Sequence, residues 1–339
     1  MKLNVQSNIS LQDKHTFGLS SKAEAYVKID SLDKLKTALL LPYKEKMILG
    51  GGSNVIFVKD FTGLVIEVAL KGLRIERKFA NRVHLCVGGG EPWHQTVLWT
   101  LKHKLGGLEN LSLIPGKVGA SPIQNIGAYG VELKDVFVKL KALEISTLKI
   151  KTFYKKDCQF GYRDSFFKNE GKGKYVILEV CFSLSTQAHR LHTSYGAILT
   201  ELSKMKVKRP SIHDISKAVI KIRQSKIPDP KKIGNAGSFF KNPIISQRKF
   251  KTLLKQYPAL VNYPSSNGKV KLAAGWLIDQ CGWKGKSIGG IQVHPKQALV
   301  ITNAKNGKAA DLQKMIKQIA QSVDKRYGVK LEAEVNLVW

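Results

Sequence analysis

Residues 114–130, IPGKVGASPIQNIGAYG, constrain the fold of this chain more than any other stretch. Two prolines stiffen the backbone, four glycines and two alanines keep it thin, and it carries very little charge. A loop this long with so few charges is poor solvent surface, so the fold must give it something to line. Ser121, Gln124 and Asn125 supply neutral donors and acceptors, and the combination suits a large, flat, partly polar ligand. A second glycine stretch, GGGSNV from Gly50, lies between apolar runs and reads as strand, loop, strand. Successive backbone amides there could form a concavity for an anion, although a tight turn is the commoner use of such glycines.

The elements around these loops set the fold class. A short strand at residues 25–29 runs into DSLDKLKTALLL, where Asp30 or Ser31 can cap a helix. GLVIEVAL, LRIER and RVHLCVGGG read as strands, and EPWHQTVLWTLKHKL as a helix with Pro92 in its first turn. VFVKLKALEI and YVILEVCFSL continue the strands, and helical periodicity takes over at SIHDISKAVIKIRQSK. IPDPKKIGNAG then marks a boundary, because Pro228 and Pro230 stop the helix. Beyond it LAAGWLIDQCG and DLQKMIKQIAQSVDKRYG read as helices, with ALVITN and EAEVNLVW as strands. Strands dominate early and helices mix in later, which makes this an α+β protein and not an alternating βαβ chain.

At 339 residues the chain is long enough for two or three domains. No amino-terminal signal peptide and no bilayer-length apolar run is read. The four cysteines form no close sequence pair, so neither a metal site nor a redox dithiol is signalled, and a reducing cytoplasm fits. A formal charge of +31 invites a nucleic-acid reading, but the lysines are spread over nearly every element and no DNA- or RNA-reading motif is present. The charge is read as solvated surface with anionic small-molecule ligands, no specific nucleic acid and no membrane insertion.

Two nucleotide templates fail. GGGSNV lacks the later glycine of the dinucleotide fingerprint, and GWKGKS has Gln280 where a phosphate loop needs glycine. The two glycine loops together with FGYRDSFFK, GNAGSFFKNP and the terminal LEAEV instead resemble, over nearly the whole chain, the UDP-N-acetylenolpyruvoylglucosamine reductases (MurB). The segment VNYPSSNGKVKLAAGWLIDQCGWKG looks like the longer type of that family, with a tyrosine-bearing loop over the substrate.

The resemblance implies a two-subdomain FAD-binding fold of the vanillyl-alcohol-oxidase/PCMH type, residues 1–70 and 71–223. A third α+β substrate-binding domain would follow at 224–331, and a strand at 332–339 would return to the active site. It implies a cytoplasmic, monomeric enzyme using non-covalent FAD and NADPH to reduce UDP-N-acetylglucosamine enolpyruvate to UDP-N-acetylmuramate. FAD would lie against Gly51, Gly52, Ser53, Asn54, Pro115, Gly116, Gly119, Ala120, Ser121, Pro122, Ile123, Gln124, Asn125, Gly127, Ala128 and Tyr129. Tyr162, Tyr195, Lys226, Asn242, Tyr263, Lys284 and Gln297 fall at the family's substrate-binding positions. Arg163, Ser238 and Glu334 match its catalytic ones.

The chemistry of those three is coherent. Arg163 offers a permanently charged fork for a carboxylate, where the blander reading is a salt bridge to Asp164. Ser238 would deliver a proton to a carbanion, a strong base that needs only a nearby donor; a turn serine bonded to its own backbone is the plainer alternative. Glu334 has to be protonated to help, since a carboxylate would repel the developing charge; otherwise it is a surface glutamate on an edge strand. Strand alternation through LEAEVNLVW predicts Glu332 and Glu334 on one face, with Val335 and Leu337 on the other. Another flavin oxidoreductase would explain the loops but not this triad, and a basic binding protein without catalysis has only the charge in its favour.

Overall fold

The computed structural model describes residues 3–265 and 268–339. Ser266 and Asn267, inside the quoted tyrosine-bearing segment, lie outside the described residues. The chain divides into two units.

The first unit comprises the residues up to Ile9, Ala23–Gly51 and Thr62–Ser225. Its four-stranded sheet runs in the order Gln6–Ser10, Lys22–Ile29, Phe61–Val68, Lys46–Leu49. The helix Leu32–Leu40 covers it, started by Ser31, whose hydroxyl accepts from the Lys34 amide. Leu35, Ala38 and Leu39 pack with Val27, Ile29, Leu64 and Ile66 in one core. A five-stranded antiparallel sheet follows, in the order Ile150–Tyr154, Phe137–Glu144, Tyr175–Ser185, Arg82–Gly88, Leu73–Lys78. Its apolar face packs with the helix Trp93–Lys102 around Trp93, Val97, Leu140, Val180 and Phe182. Pro92 caps that helix instead of sitting in its first turn, a one-residue shift. The helices Gly196–Lys204 and Ile212–Lys226 form a smaller core through Ile198, Leu202, Ile215 and Val219.

The second unit gathers Ser10–Lys22, Gly52–Phe61 and Lys226–Trp339. Residues 10–22 and 52–61, expected within the first FAD-binding subdomain, cluster here. The reason is pairing and burial: Val55–Phe57 pairs in parallel with Asn336–Val338, and Phe17, Leu19, Ile56 and Val58 are buried with Phe239, Ile278, Ile301 and Ile319. A four-stranded sheet runs Gly234–Ser238, Val300–Asn303, Ile291–Val293, Ser287–Ile288, and a three-stranded one runs Ile244–Ser246, Lys269–Leu272, Asn262–Pro264. The helix Ala309–Tyr327 buries Leu312, Met315, Ile319 and Val323 at helical spacing and ends on Gly328 at φ +60°.

Two expectations change. The terminal segment is a strand only over Asn336–Val338; Ala333 makes an isolated bridge to Phe240 and Glu334 sits in the bend after it, so strand alternation does not reach Glu332 and Glu334. The cysteines do include a close pair in space. Cys86 and Cys181 stand directly opposite in the antiparallel pairing of Arg82–Gly88 with Tyr175–Ser185 and are joined as a disulfide across 95 residues of sequence. The same sulfurs lie near the Glu76 carboxylate, the one grouping of potential metal ligands among the described residues.

Candidate active site

In the first unit the neutral loop is shaped by its backbone. A Cβ on Gly51 would stand 2.8 Å from the Gly116 Cα, so the two glycine loops touch backbone to backbone. Main-chain bonds stitch the loop to its neighbours: the Trp93 amide donates to Gly116 O (2.9 Å), Val118 to Glu91 O (2.8 Å) and Gly119 to Gly89 O (2.8 Å). Leu113, Asn125 and Tyr129 hold left-handed backbone at φ +59°, +43° and +51°, a conformation that costs a non-glycine residue about 1–3 kcal/mol. Strain of that size persists where surroundings over-determine it.

Those surroundings are visible. Lys117 donates to the Glu67 carboxylate (2.8 Å) and to Val68 O (2.7 Å), and the Tyr26 hydroxyl also donates to Glu67. Burial pushes the Glu67 carboxyl up, but the bonds from Lys117 and Tyr26 outweigh it and hold it below its ordinary value. Asn110, itself buried, donates to Tyr129 O (3.1 Å) and His192 O (2.8 Å). Asn125 is fully buried, with its amide spent on Glu132 and Gly161 O and its carbonyl accepting from the Lys134 amide. Ser121 donates to Val118 O. The side chains of Ser121 and Asn125 therefore brace the loop from inside, and any ligand contact of theirs falls to the backbone. Pro115, Ala120, Pro122, Ile123, Gln124 and Ala128 lie along the same loop, with Ile123 exposed.

Arg163, also left-handed at φ +53°, donates to Gly127 O at 2.6 Å and lies over the Tyr162 ring at 5.6 Å. The neighbouring Asp164 carboxylate accepts from Asn169. Tyr195 packs edge-on against Tyr129, 5.4 Å between ring centres. Burial pushes the Tyr129 phenol up while Arg223 acts against it. The first unit thus groups Arg163, Tyr162, Tyr129 and Tyr195 around one end of the loop.

In the second unit Ser238 closes the strand Gly234–Ser238 just after a break in its register with Val300–Asn303. Gly237 makes that break possible at φ +70°, and its amide is held by the Asn235 side chain (3.1 Å). Ser238 is half-buried, and its hydroxyl makes no hydrogen bond within the described residues. Glu334 is brought to it by main chain: the Glu334 amide donates to Phe239 O at 2.8 Å, and Asn54 donates to Glu334 O at 3.2 Å. Gly52, whose Cβ would lie 2.0 Å from Lys14 O, fixes the start of the turn that carries Ser53 and Asn54. Asn242 accepts from the Ala274 amide at the start of the helix Ala274–Gln280, and the Gln297 side chain lies 3.1 Å from where a Cβ on Gly275 would be. Lys284 pairs with Asp279 at the end of that helix (2.8 Å), Tyr263 sits in the strand Asn262–Pro264, and Lys226 is exposed at a helix terminus.

The sequence reading missed the residues that hold the loop: Tyr26, Glu67 and Asn110, with His94, whose Nδ1 accepts from the Leu113 amide (3.0 Å), and Arg223, which donates to Leu113 O (3.3 Å). Lys117, a lone charge in a neutral stretch, is the one signal that pointed to them.

A thin backbone cradle with buried polar braces and a nearby guanidinium fits a dinucleotide cofactor, and comparison with known proteins defines the class. Residues 23–147 match the FAD binding domain family, and residues 229–338 match the UDP-N-acetylenolpyruvoylglucosamine reductase C-terminal domain. The chain is 47% identical to the UDP-N-acetylenolpyruvoylglucosamine reductase of Flavobacterium johnsoniae, covering 99% of this chain and 100% of the relative. It is 48% identical to that of Amoebophilus asiaticus with the same coverage. In fold it is similar to the crystal structure of the Thermus caldophilus enzyme, with TM-score 0.70 and 20% identity over 99% of both chains. The chain belongs to the UDP-N-acetylenolpyruvoylglucosamine reductase family.

Proposed function

We propose that this chain reduces UDP-N-acetylglucosamine enolpyruvate to UDP-N-acetylmuramate with NADPH, through non-covalently held FAD, as a monomeric cytoplasmic enzyme of peptidoglycan precursor synthesis. Family membership supports the reaction, and the backbone cradle at Gly51 and Gly116 supports the cofactor. Among the described residues no helix is long and apolar enough to cross a membrane.

FAD, when bound, supplies the hydride chemistry; the protein's residues orient the substrate and handle charge and protons. Adding a hydride to the enolpyruvyl carbon–carbon double bond leaves negative charge next to a carboxylate. Arg163, fixed by Gly127 O and by the Tyr162 ring, would meet that carboxylate with its planar guanidinium fork. Glu334, acting in its protonated form, would donate toward the same developing charge. The Ser238 hydroxyl would give its proton to the carbanion carbon, completing the saturated ether.

The observation that carries this reading is the proximity of Ser238 and Glu334 through the Phe239 main chain, with the serine hydroxyl making no hydrogen bond among the described residues. It favours this reading over the plainer alternative, in which a turn serine spends its hydroxyl on nearby backbone. Lys226, Asn242, Tyr263, Lys284 and Gln297 are proposed contacts for the substrate's nucleotide and sugar.

Stopped-flow spectroscopy separates the half-reactions. In Ser238→Ala, flavin reduction by NADPH is expected to survive, while reoxidation by the enolpyruvyl sugar nucleotide slows by about 10²- to 10⁴-fold, the usual range for a lost general acid. Equal losses in both halves would refute the proton-donor role.

A further inference from the structure

Thr16 lies between the turn that starts at Gly52 and the strand that ends at Ser238, and it bonds to both. Its amide donates to Gly52 O (3.0 Å), its carbonyl accepts from the Asn235 amide (3.0 Å), and its hydroxyl donates to Asn235 O (2.7 Å). Both backbone polar atoms of Asn235 are thus held by one residue 219 positions away. The Asn235 side chain passes the constraint on. Its carbonyl accepts from the Gly237 amide (3.1 Å), and its amide donates to Pro228 O (3.0 Å) and Ile233 O (2.9 Å). Asn235 is buried, so these bonds are not readily exchanged for water.

The same turn reaches Ser238 by a second route. Asn54 donates to Glu334 O (3.2 Å), and the Glu334 amide donates to the carbonyl of Phe239, the residue after Ser238. The two routes close a circuit: Thr16 joins Gly52 to Asn235, Glu334 joins Asn54 to Phe239, and Ser238 stands between the two held points of its own strand. The Thr16 arm is stiff. A Cβ on Gly52 would run into Lys14 O and one on Gly234 into Phe17 O, so main chain lies directly against main chain at both ends. Phe17 is buried with Ile56, Phe239 and Ile301, and the Asn303 side chain donates to Gly18 O (3.0 Å). Those contacts already fasten the segment to the core. The Thr16 hydroxyl adds orientation of the peptide after Asn235, from which the register break at Gly237 departs.

We propose that Thr16 is a positioning residue for Ser238: acting through Asn235, it sets the distance and angle at which the serine hydroxyl stands from the turn Gly52–Asn54. The inference rests on the reading of Ser238 as proton donor. A proton passes only over hydrogen-bond distance, so a small displacement of the donor weighs on that step far more than on the binding of substrate or flavin.

The test compares wild type, Thr16→Val, Thr16→Ala, Thr16→Ser, Ser238→Ala and Thr16→Val/Ser238→Ala in the two flavin half-reactions by stopped flow. In Thr16→Val, reduction by NADPH should keep its wild-type rate, as should the dissociation constant of the enolpyruvyl sugar nucleotide titrated against the oxidised flavin's absorption. Reoxidation should slow about three- to thirtyfold, the cost of a modest misplacement. Thr16→Ser keeps the hydroxyl and should restore the wild-type rate. Adding Thr16→Val to Ser238→Ala should slow reoxidation no further, because no donor is left to place. A wild-type reoxidation rate in Thr16→Val beside a slow Ser238→Ala overturns the positioning role alone. A wild-type rate in Ser238→Ala removes the proton-donor reading and this inference with it. Equal slowing of both half-reactions, or loss of folded flavoprotein in both Thr16→Val and Thr16→Ala, would mark Thr16 as a stability element and overturn the proposal as well.

Discussion

The loop at residues 113–129 and the turn that presents Ser238 use side chains in opposite ways. In the loop, Asn125, Ser121 and Lys117 spend their polar atoms inside the protein, and strained backbone is held from outside, at Leu113 by His94 and Arg223 and at Tyr129 by Asn110. At Ser238 the bracing is main chain, through Gly237 and Phe239, and the side chain is uncommitted among the described residues. On the proposed roles, the contrast teaches that a cofactor surface is built by fixing backbone, whereas a proton donor needs fixed backbone with one side chain left unspent.

If that contrast is right, damage to the loop should appear first in cofactor binding and stability, and damage in the second unit should appear first in turnover with substrate. The largest effect is expected from Gly51→Val, because its Cβ would lie 2.8 Å from the Gly116 Cα and both partners are backbone. Purified protein should lack the yellow of bound flavin, and thermal unfolding should report a loss of about 1–3 kcal/mol. Protein that retains full flavin occupancy would break the comparison.

Next is Glu67→Gln, which leaves Lys117 without its anion; about 1–3 kcal/mol of stability and weaker FAD binding are expected. Its pH dependence has a definite sign. The folded carboxyl is held below its unfolded value of about 4.3, so its contribution is fully present above that value and is lost as pH falls through the folded one. Urea midpoints measured from about pH 6 downward should fall on the acid side in wild type and fall less in Glu67→Gln.

Asn242→Ala should follow, at about 0.5–2 kcal/mol, because it removes the acceptor for the first amide of the helix Ala274–Gln280. FAD affinity should hold while KM for the sugar nucleotide rises. Smallest is Lys284→Ala: its bond to Asp279 is exposed and worth about 0–1 kcal/mol, so stability should be unchanged within error and only KM should move. A KM equal to wild type would remove Lys284 from the proposed substrate contacts.

Local patterns carried much of the architecture. The cap at Ser31, the helix over Ile212–Lys226 and the strands on either side of the glycine stretch are set by neighbouring residues, and they appear where periodicity and capping place them. What could not be read was long-range pairing. Nothing near Val55–Phe57 announces Asn336–Val338 as its partner, nothing near Cys86 announces Cys181, and the bend at Glu334 follows from its contacts with Phe239 and Asn54. The site divides the same way. Motif order singled out Ser238, Arg163 and the neutral loop, but Glu67, His94 and Arg223 look like ordinary residues in their own elements and matter through what they touch.

One pairing bears on how the molecule is made. Among the described residues Val55–Phe57 pairs as a strand only with Asn336–Val338, so on the ribosome it emerges early and waits through the synthesis of nearly all the intervening polypeptide. During that interval a fully apolar Val-Ile-Phe segment with open backbone groups is available to other nascent chains. Slower elongation, or release of a chain cut short of Asn336, should raise the share found in inclusion bodies, and chaperones that shield extended hydrophobic stretches should lower it.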